Sequence, residues 1–333
     1  MSDSKLRVLS GIRASGKLHI GNYYGAIKGM LELQQDDAYE TFYMVADAHG
    51  ITTPYEIEKI KAEKLDVILD YLAAGLDPEK STVFIQSMVP AHYELSYFFS
   101  SVITVARMQH LPTFKEKVKQ YPENATMALL NYPVLMAADI LIYHASRVPV
   151  GQDQEPHLEV AREISRKFNA LYGTNFPEPT VFRTKGSYVP SLTGEGKMSK
   201  SVEGSYISLR DDLETIKSVL AKVPTDSGKG EILPESGSVA NLLTFVDLFM
   251  GEQAYKHYAD LYTGAGIRYS DLKAELAGAI FAELQPFQQK RAELVANPTY
   301  VNKVIVEGAA KATEVANATV DDVRSRIGMG YTF

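Results

Sequence analysis

The stretch LRVLSGIRASGKLHIGN, residues 6–22, decides the fold. It opens on an apolar run, Leu6 to Ile12, that reads as a short strand. A glycine-bounded loop, Arg13 to Lys17, follows, and a helical pattern begins near Leu18. The same alternation recurs downstream: a strand from Thr41 to Ala46 runs into polar Asp47-Ala48-His49, a helix spans Glu56 to Ala74, and a third strand spans Thr82 to Gln86. Strands separated by helices are joined by crossovers rather than hairpins, so the expected class is α/β with a parallel sheet.

From Ala91 to Ile142 the periodicity is helical, interrupted by Pro112, Pro122 and Pro133. Val148 to Val150 gives another short strand before a helix from Glu155 to Leu171, and the sheet is expected to extend at least to residue 190. Beyond Ser208 the patterns are only helical: Leu209 to Lys222, Val239 to Tyr262, Leu272 to Leu294 with a kink at Pro286, and Val301 to Arg326. Two polar glycine-rich loops, SLTGEGKMSKSVEGS and TDSGKGEILPESGS, are candidates for mobility. The expected division is residues 1–205 and 206–333.

The 333 residues suffice for two domains whose cores need no staple. With Cys 0, disulfides, thiolate nucleophiles, zinc knuckles and iron-sulfur clusters are excluded. Any metal would sit on oxygen or imidazole, and no protein metal site is assigned. A net charge of -7 gives no support to generic nucleic-acid binding, which needs Lys and Arg for phosphate neutralisation. The start, MSDSKLRVLSG, has no basic segment followed by an apolar stretch, and no apolar run approaches the roughly 20 residues of a membrane span. The expectation is a cytoplasmic location.

Gly11, Gly16 and Lys17 stand at the spacing of a phosphate-binding P-loop, but Leu18 occupies the place where a hydroxyl must hold magnesium. The alternative is a glycine turn between strand and helix, beside whose N-terminus free backbone N–H groups attract phosphate. Next stands His19-Ile20-Gly21-Asn22, and far along the chain Lys197-Met198-Ser199-Lys200-Ser201. Taken singly, the first reads as a polar helical turn and the second as a solvated lysine loop. Together and in this order they resemble the two signatures of class I aminoacyl-tRNA synthetases. Phe114-Lys115-Glu116-Lys117, Tyr132-Pro133-Val134-Leu135-Met136-Ala137-Ala138-Asp139-Ile140-Leu141 and Val148-Pro149-Val150-Gly151-Gln152-Asp153-Gln154, with His157 just after, are similar to the tryptophanyl-tRNA synthetases. The likeness runs from about Ser10 to about Ser201. It departs from the family at Arg13 and Ala14, where Gln-Pro is usual, at Gln152, where Glu is common, and at Leu9, where a bulky aromatic often borders the indole pocket.

The resemblance implies a Rossmann-like catalytic domain with an α-helical, anticodon-binding C-terminal domain. It also implies activation of L-tryptophan with ATP and Mg2+, transfer to tRNA(Trp), and a homodimer. His19, Asn22, Lys117, Lys197, Ser199 and Lys200 are then the catalytic candidates, with His19 acting as a donor rather than a general base. ATP would lie along Arg13, Ala14, Ser15, Gly21, Asn22, Gly151, Gln152, Asp153, Val189, Lys197, Met198, Ser199, Lys200 and Ser201. Activation places new negative charge on phosphate oxygens, so cations and preorganised donors are the chemistry required, and no covalent nucleophile is. For the amino acid, indole offers one N–H that only donates. Asp139 is its implied acceptor. Met136, Val148, Val150, Leu9, Gly11 and His49 border the pocket, and Tyr132 and Gln154 grip the α-amino group; for the apolar residues plain core packing is the competing explanation. In residues 206–333, 13 Lys and Arg face 17 Asp and Glu, so only a local patch such as Lys256, Arg268, Lys290, Arg291, Lys303, Arg324 and Arg326 serves RNA contact. The alternatives carried forward are a tyrosyl-tRNA synthetase, a P-loop NTPase or kinase, and a synthetase-like regulator that no longer aminoacylates.

With Trp 0 in the chain, indole fluorescence belongs to a ligand alone. Tryptophan titrated with the protein should shift its emission to the blue as indole leaves water. Unchanged emission at saturating protein would count against an apolar indole pocket.

Overall fold

The computed structural model describes residues 5–14, 16–150, 154–182, 189–194, 196–199, 202 and 204–330. In chain order come β1 (Leu6–Arg13), α1 (Ile20–Asn22), a π-helical turn at Tyr23–Ile27, α2 (Lys28–Gln34), β2 (Tyr39–Ala46), α3 (Ile57–Ala73), β3 (Ser81–Ile85) and α4 (Ala91–Phe99). There follow α5 (Val105–Gln109), α6 (Pro112–Gln120), α7 (Met127–Leu141), β4 (Arg147–Pro149), α8 (Glu155–Tyr172) and β5 (Thr180–Phe182). The remainder is helical: α9 (Leu213–Ala221), α10 (Ser238–Met250), α11 (Glu252–Thr263), α12 (Tyr269–Val295) and α13 (Pro298–Arg326).

The sheet is parallel throughout, in the order β3-β2-β1-β4-β5. β2 is buried from Thr41 to Ala46, β1 from Val8 to Ser10 and β3 along its whole length, as parallel strands covered by helices are. The order reverses beside β1, and in open α/β sheets ligands bind where it does, outside the carboxyl ends of the strands. The class read from the sequence is the class observed.

Several boundaries differ. The last strand among the described residues is Thr180–Phe182, short of residue 190, and Pro190 instead bridges Lys197 in antiparallel fashion. The single helix expected from Val239 to Tyr262 is two, because Gly251 at φ 84° breaks the ladder. Pro133 does not interrupt its helix, and Pro286 likewise lies inside α12. Among the described residues, no helix is long and apolar enough to cross a membrane.

Contacts divide the chain into two compact units, and not at residue 205. The first comprises residues 1–16, 28–185 and 297–333, the second residues 17–27 and 186–296. The last helix of the sequence therefore belongs with the sheet: Ala312, Ala316, Val320 and Val323 of α13 join its core, Thr319 Oγ1 donates to Ile142 O at 2.7 Å, and Arg324 grips Glu94 through two bonds of 2.6 Å.

Where α13 crosses β3, the edge strand, the helix is Gly308. A Cβ there would sit 1.8 Å from Val83 O, so the backbones meet at a separation no side chain permits. Covering an edge strand in this way also removes a template for unwanted pairing. Gly308→Ala should destabilise the fold by about 1 to 3 kcal/mol through overpacking. Gly278→Ala, at an exposed position of α12 with nothing within 4 Å of the added carbon, should stabilise it by up to ~1 kcal/mol through helix propensity. Denaturant midpoints of the two variants should move in opposite directions; two shifts of the same sign would contradict the packing described.

Candidate active site

The first unit carries a buried carboxylate. Asp139 lies near the C-terminal end of α7, where the helix dipole disfavours a negative charge, and it has no exposed surface. Burial alone would raise its pKa, but donors from His49 and His92 outweigh that and hold it at about 2. His49 Nε2 meets Oδ2 at 2.8 Å. On Oδ1, Gln86 Nε2 donates at 2.8 Å and His92 Nδ1 lies at 2.5 Å. His92 Nε2 in turn meets the Tyr143 hydroxyl at 2.7 Å, and Gln86 Oε1 accepts from the Ala48 N–H at 3.1 Å. An ionised carboxylate only accepts, so all three neighbours present N–H groups to it. His49 follows β2 and Gln86 follows β3, which places the group at the carboxyl ends of those strands.

A second polar group borders the first. Tyr132 OH lies 2.7 Å from His157 Nε2 and donates to Thr113 Oγ1 at 2.7 Å. Gln154 Oε1 is 3.0 Å from His157 Nδ1, and the Tyr132 ring meets the His49 ring edge-on at 6.3 Å. Tyr132 and Gln154 thus share one organising residue, His157, which bonds to both.

The second unit holds the two signature segments together. His19 caps α1: its Nδ1 accepts from the Asn22 N–H at 3.3 Å while Asn22 Oδ1 accepts from the His19 N–H at 3.1 Å. With Nδ1 accepting, the neutral ring carries its proton on Nε2, which makes His19 a donor there. The Ile20 N–H goes to Ile207 O and the Leu209 N–H to Leu18 O, both at 3.0 Å, so the turn pairs with the chain just beyond the lysine loop. That corrects the expectation of free N–H groups at this helix start: those of Ile20 and Asn22 are occupied. A Cβ on Gly21 would lie 2.9 Å from the His19 ring and 3.3 Å from Met198 Cβ, so glycine admits the buried Met198. Lys197 is exposed, and the loop is held through Met198 N–H to Val189 O at 3.2 Å and Asn241 Nδ2 to Ser191 O at 2.7 Å.

Of the residues expected at the site, the first unit brings together Asp139, His49, Tyr132 and Gln154. Leu9 and Val148 lie in its core, with Met136 and Val150 packed against it. Gly11 faces Met44 across β1 and β2, Arg13 reaches Thr53 Oγ1 at 3.4 Å, Ala14 is buried, and Lys117 binds Gln120 Oε1 at 2.9 Å. The second unit holds His19, Gly21, Asn22, Val189, Lys197, Met198 and Ser199. Ser15, Gly151, Gln152, Asp153, Lys200 and Ser201 lie outside the described residues. Leu18 is fully buried, which removes it from any magnesium-binding role. The basic patch is not one of unpaired charge: Lys256, Lys290, Lys303 and Arg326 pair with acids of their own helices, Arg268 with Asp271, and Arg324 with Glu94. Sequence reading missed Gln86, His92, Tyr143 and Thr113.

The class I tRNA synthetases (W and Y) match residues 1–285. The tryptophan--tRNA ligase of Porphyromonas gingivalis is 40% identical over 327 residues, covering 96% of this chain and 98% of that one. That of Clostridium tetani is 39% identical, covering 98% and 97%. Among solved structures, tryptophanyl-tRNA synthetase from Campylobacter jejuni, complexed with ADP and tryptophan, superposes with a TM-score of 0.84 at 32% identity over 97% of this chain and 100% of that one. The Mycoplasma pneumoniae enzyme gives 0.85 at 29% identity, covering 98% and 99%. The chain belongs to the class I tRNA synthetases, in the branch of the tryptophan and tyrosine enzymes.

Because the pKa of folded Asp139 lies below its unfolded value near 3.9, its ionisation stabilises the fold fully above about pH 4 and ceases to as the pH falls toward 2. That contribution is roughly 2 kcal/mol. The stability gap between the native chain and Asp139→Asn, read from unfolding midpoints, should therefore be widest at neutral pH and narrow between pH 4 and pH 2. A gap independent of pH would contradict a buried, ionised Asp139.

Proposed function

We infer that this protein is a tryptophan--tRNA ligase, which joins L-tryptophan to ATP as tryptophanyl-adenylate, releases pyrophosphate and passes the amino acid to tRNA(Trp). The observation that carries the reading is Asp139, a buried carboxylate whose hydrogen-bond partners are all donors and which sits beside the apolar residues Ala137, Ala138 and Ile140 of its own helix. Such a group recognises a ligand that only donates, and indole is that ligand. The full-length likeness to tryptophan--tRNA ligases supports tryptophan over tyrosine.

In activation a carboxylate oxygen of the amino acid attacks the α-phosphorus of ATP, and the bond to the leaving pyrophosphate breaks. His19 Nε2–H and Lys197 meet the phosphate oxygens, with Lys200, Ser199 and Lys117 as further donors, while Gly151, Gln152 and Asp153 take the ribose. Magnesium travels on the ATP phosphates as part of the substrate, with few protein ligands. Tyr132 and Gln154, aligned by His157, hold the α-amino group. We also propose tRNA contact through residues of the helical 206–333 region, a cytoplasmic location, and a homodimer. The exposed apolar side chains of Tyr93 and Tyr97 on α4, with Met88 just before it, support the last of these.

ATP–pyrophosphate exchange measured with each amino acid in turn should depend on tryptophan. Lys197→Ala should lower the exchange rate about a hundredfold with tryptophan affinity unchanged, because the cation acts on charge that develops in the transition state. Preference for tyrosine, or exchange without any amino acid, would overturn the assignment.

A further inference from the structure

We propose that His92, held by Tyr143, is a positioning residue for amino-acid selection: with Gln86 it occupies Asp139 Oδ1 and leaves Oδ2, beside His49, to receive the indole N–H. This rests on the reading of Asp139 as the indole acceptor. The two carboxylate oxygens are unequally filled. Each has two lone pairs. Oδ1 takes both Gln86 Nε2 and His92 Nδ1, whereas Oδ2 takes His49 Nε2 alone among the described residues. Oδ1 is saturated, and one acceptor position remains on Oδ2.

Access points the same way. Asp139, Gln86 and His92 have no exposed surface. His49 is the one partner of the carboxylate with any, 10% of its side chain, so a ligand approaches on the His49 side. Tyr132, proposed to hold the α-amino group, lies against that same ring.

The inner donors are themselves fixed. His92 is bonded at both ring nitrogens and packed beside Phe84 and Tyr143. Because the carboxylate requires Nδ1–H, the neutral ring accepts the Tyr143 O–H at Nε2, and rotation of the ring would break both bonds. Gln86 is anchored at its oxygen by the Ala48 N–H, so its amide cannot turn an oxygen toward Asp139. Neither donor yields Oδ1, and the carboxylate cannot rotate to offer a ligand a different oxygen. An amino acid without an N–H at that point leaves Oδ2 desolvated and short of a partner, and is rejected.

The test is tryptophan against its sulfur isostere, 3-(benzothiophen-3-yl)alanine, which replaces the indole N–H by S, in ATP–pyrophosphate exchange. The native protein should prefer tryptophan by about 10- to 100-fold in kcat/KM. His92→Leu should reduce that preference by about tenfold, through a raised KM for tryptophan with kcat little changed. His92→Asn, whose amide N–H reaches the place of Nδ1–H, should recover most of it. Tyr143→Phe, which keeps the ring volume, should reduce it by about threefold and serves if His92→Leu does not fold. A role confined to stability would lower the melting temperature and leave the preference as it is in the native protein; that result, in whichever variant folds, overturns the proposal while leaving the ligase reading intact. Native exchange that does not depend on tryptophan overturns both.

Discussion

A carboxylate buried without exposed surface, at the end of a helix whose dipole opposes it, is tolerated only if hydrogen-bond donors compensate its charge. Asp139 meets that condition with donors drawn from three places: His49 after β2, Gln86 after β3 and His92 on α4. Each donor arrives only if its strand or helix ends where it does. The bonds therefore fasten the ends of two adjacent strands to the two helices α4 and α7. The same four side chains that would recognise a ligand also register this part of the fold.

That coupling explains why the sheet needs protection at a distance. β3, which delivers Gln86, is an edge strand, and its placement depends on what covers it. α13 does so from the far end of the sequence, with Gly308 laid against Val83 and Ala312, Ala316, Val320 and Val323 in the shared core. A helix that looks from its position like part of a C-terminal appendage thus stabilises the strand that carries one of the inner donors.

Local chemistry was legible in the sequence, and partnership was not. β1, β2 and β3 were readable within two residues at every boundary, because buried parallel strands are rich in apolar residues. Gly251, one residue with φ of 84°, was not recognised as a helix break, and the π-helical turn after Asn22 leaves no mark in the hydrophobic pattern. Asp139 and His49 could be named from residue type and resemblance. Gln86 and His92 could not, since a glutamine ending an apolar strand reads as a polar cap and a histidine opening a helix reads as a surface residue; their partner lies 53 and 47 positions away. The return of α13 to the first unit was hidden for a related reason: an amphipathic stripe says that a helix packs, not against which core.

The two signature segments show where resemblance overstates chemistry. Of His19, Gly21 and Asn22, two spend hydrogen bonds on each other to cap the helix, and the glycine is there because a side chain would strike the His19 ring and Met198. Met198 is buried and Lys197 exposed. Within each segment, then, some residues build the join. The pairing of residues 18–20 with 207–209 is made by backbone and by the Ser208 hydroxyl on Leu18 O, so it does not depend on which charged side chains follow. A chain can retain that join after losing the cations of the lysine loop. The described parts of the two segments are thus architecture as well as chemistry: the His19–Asn22 cap and the Gly21–Met198 approach hold their backbones in place whatever ligand follows.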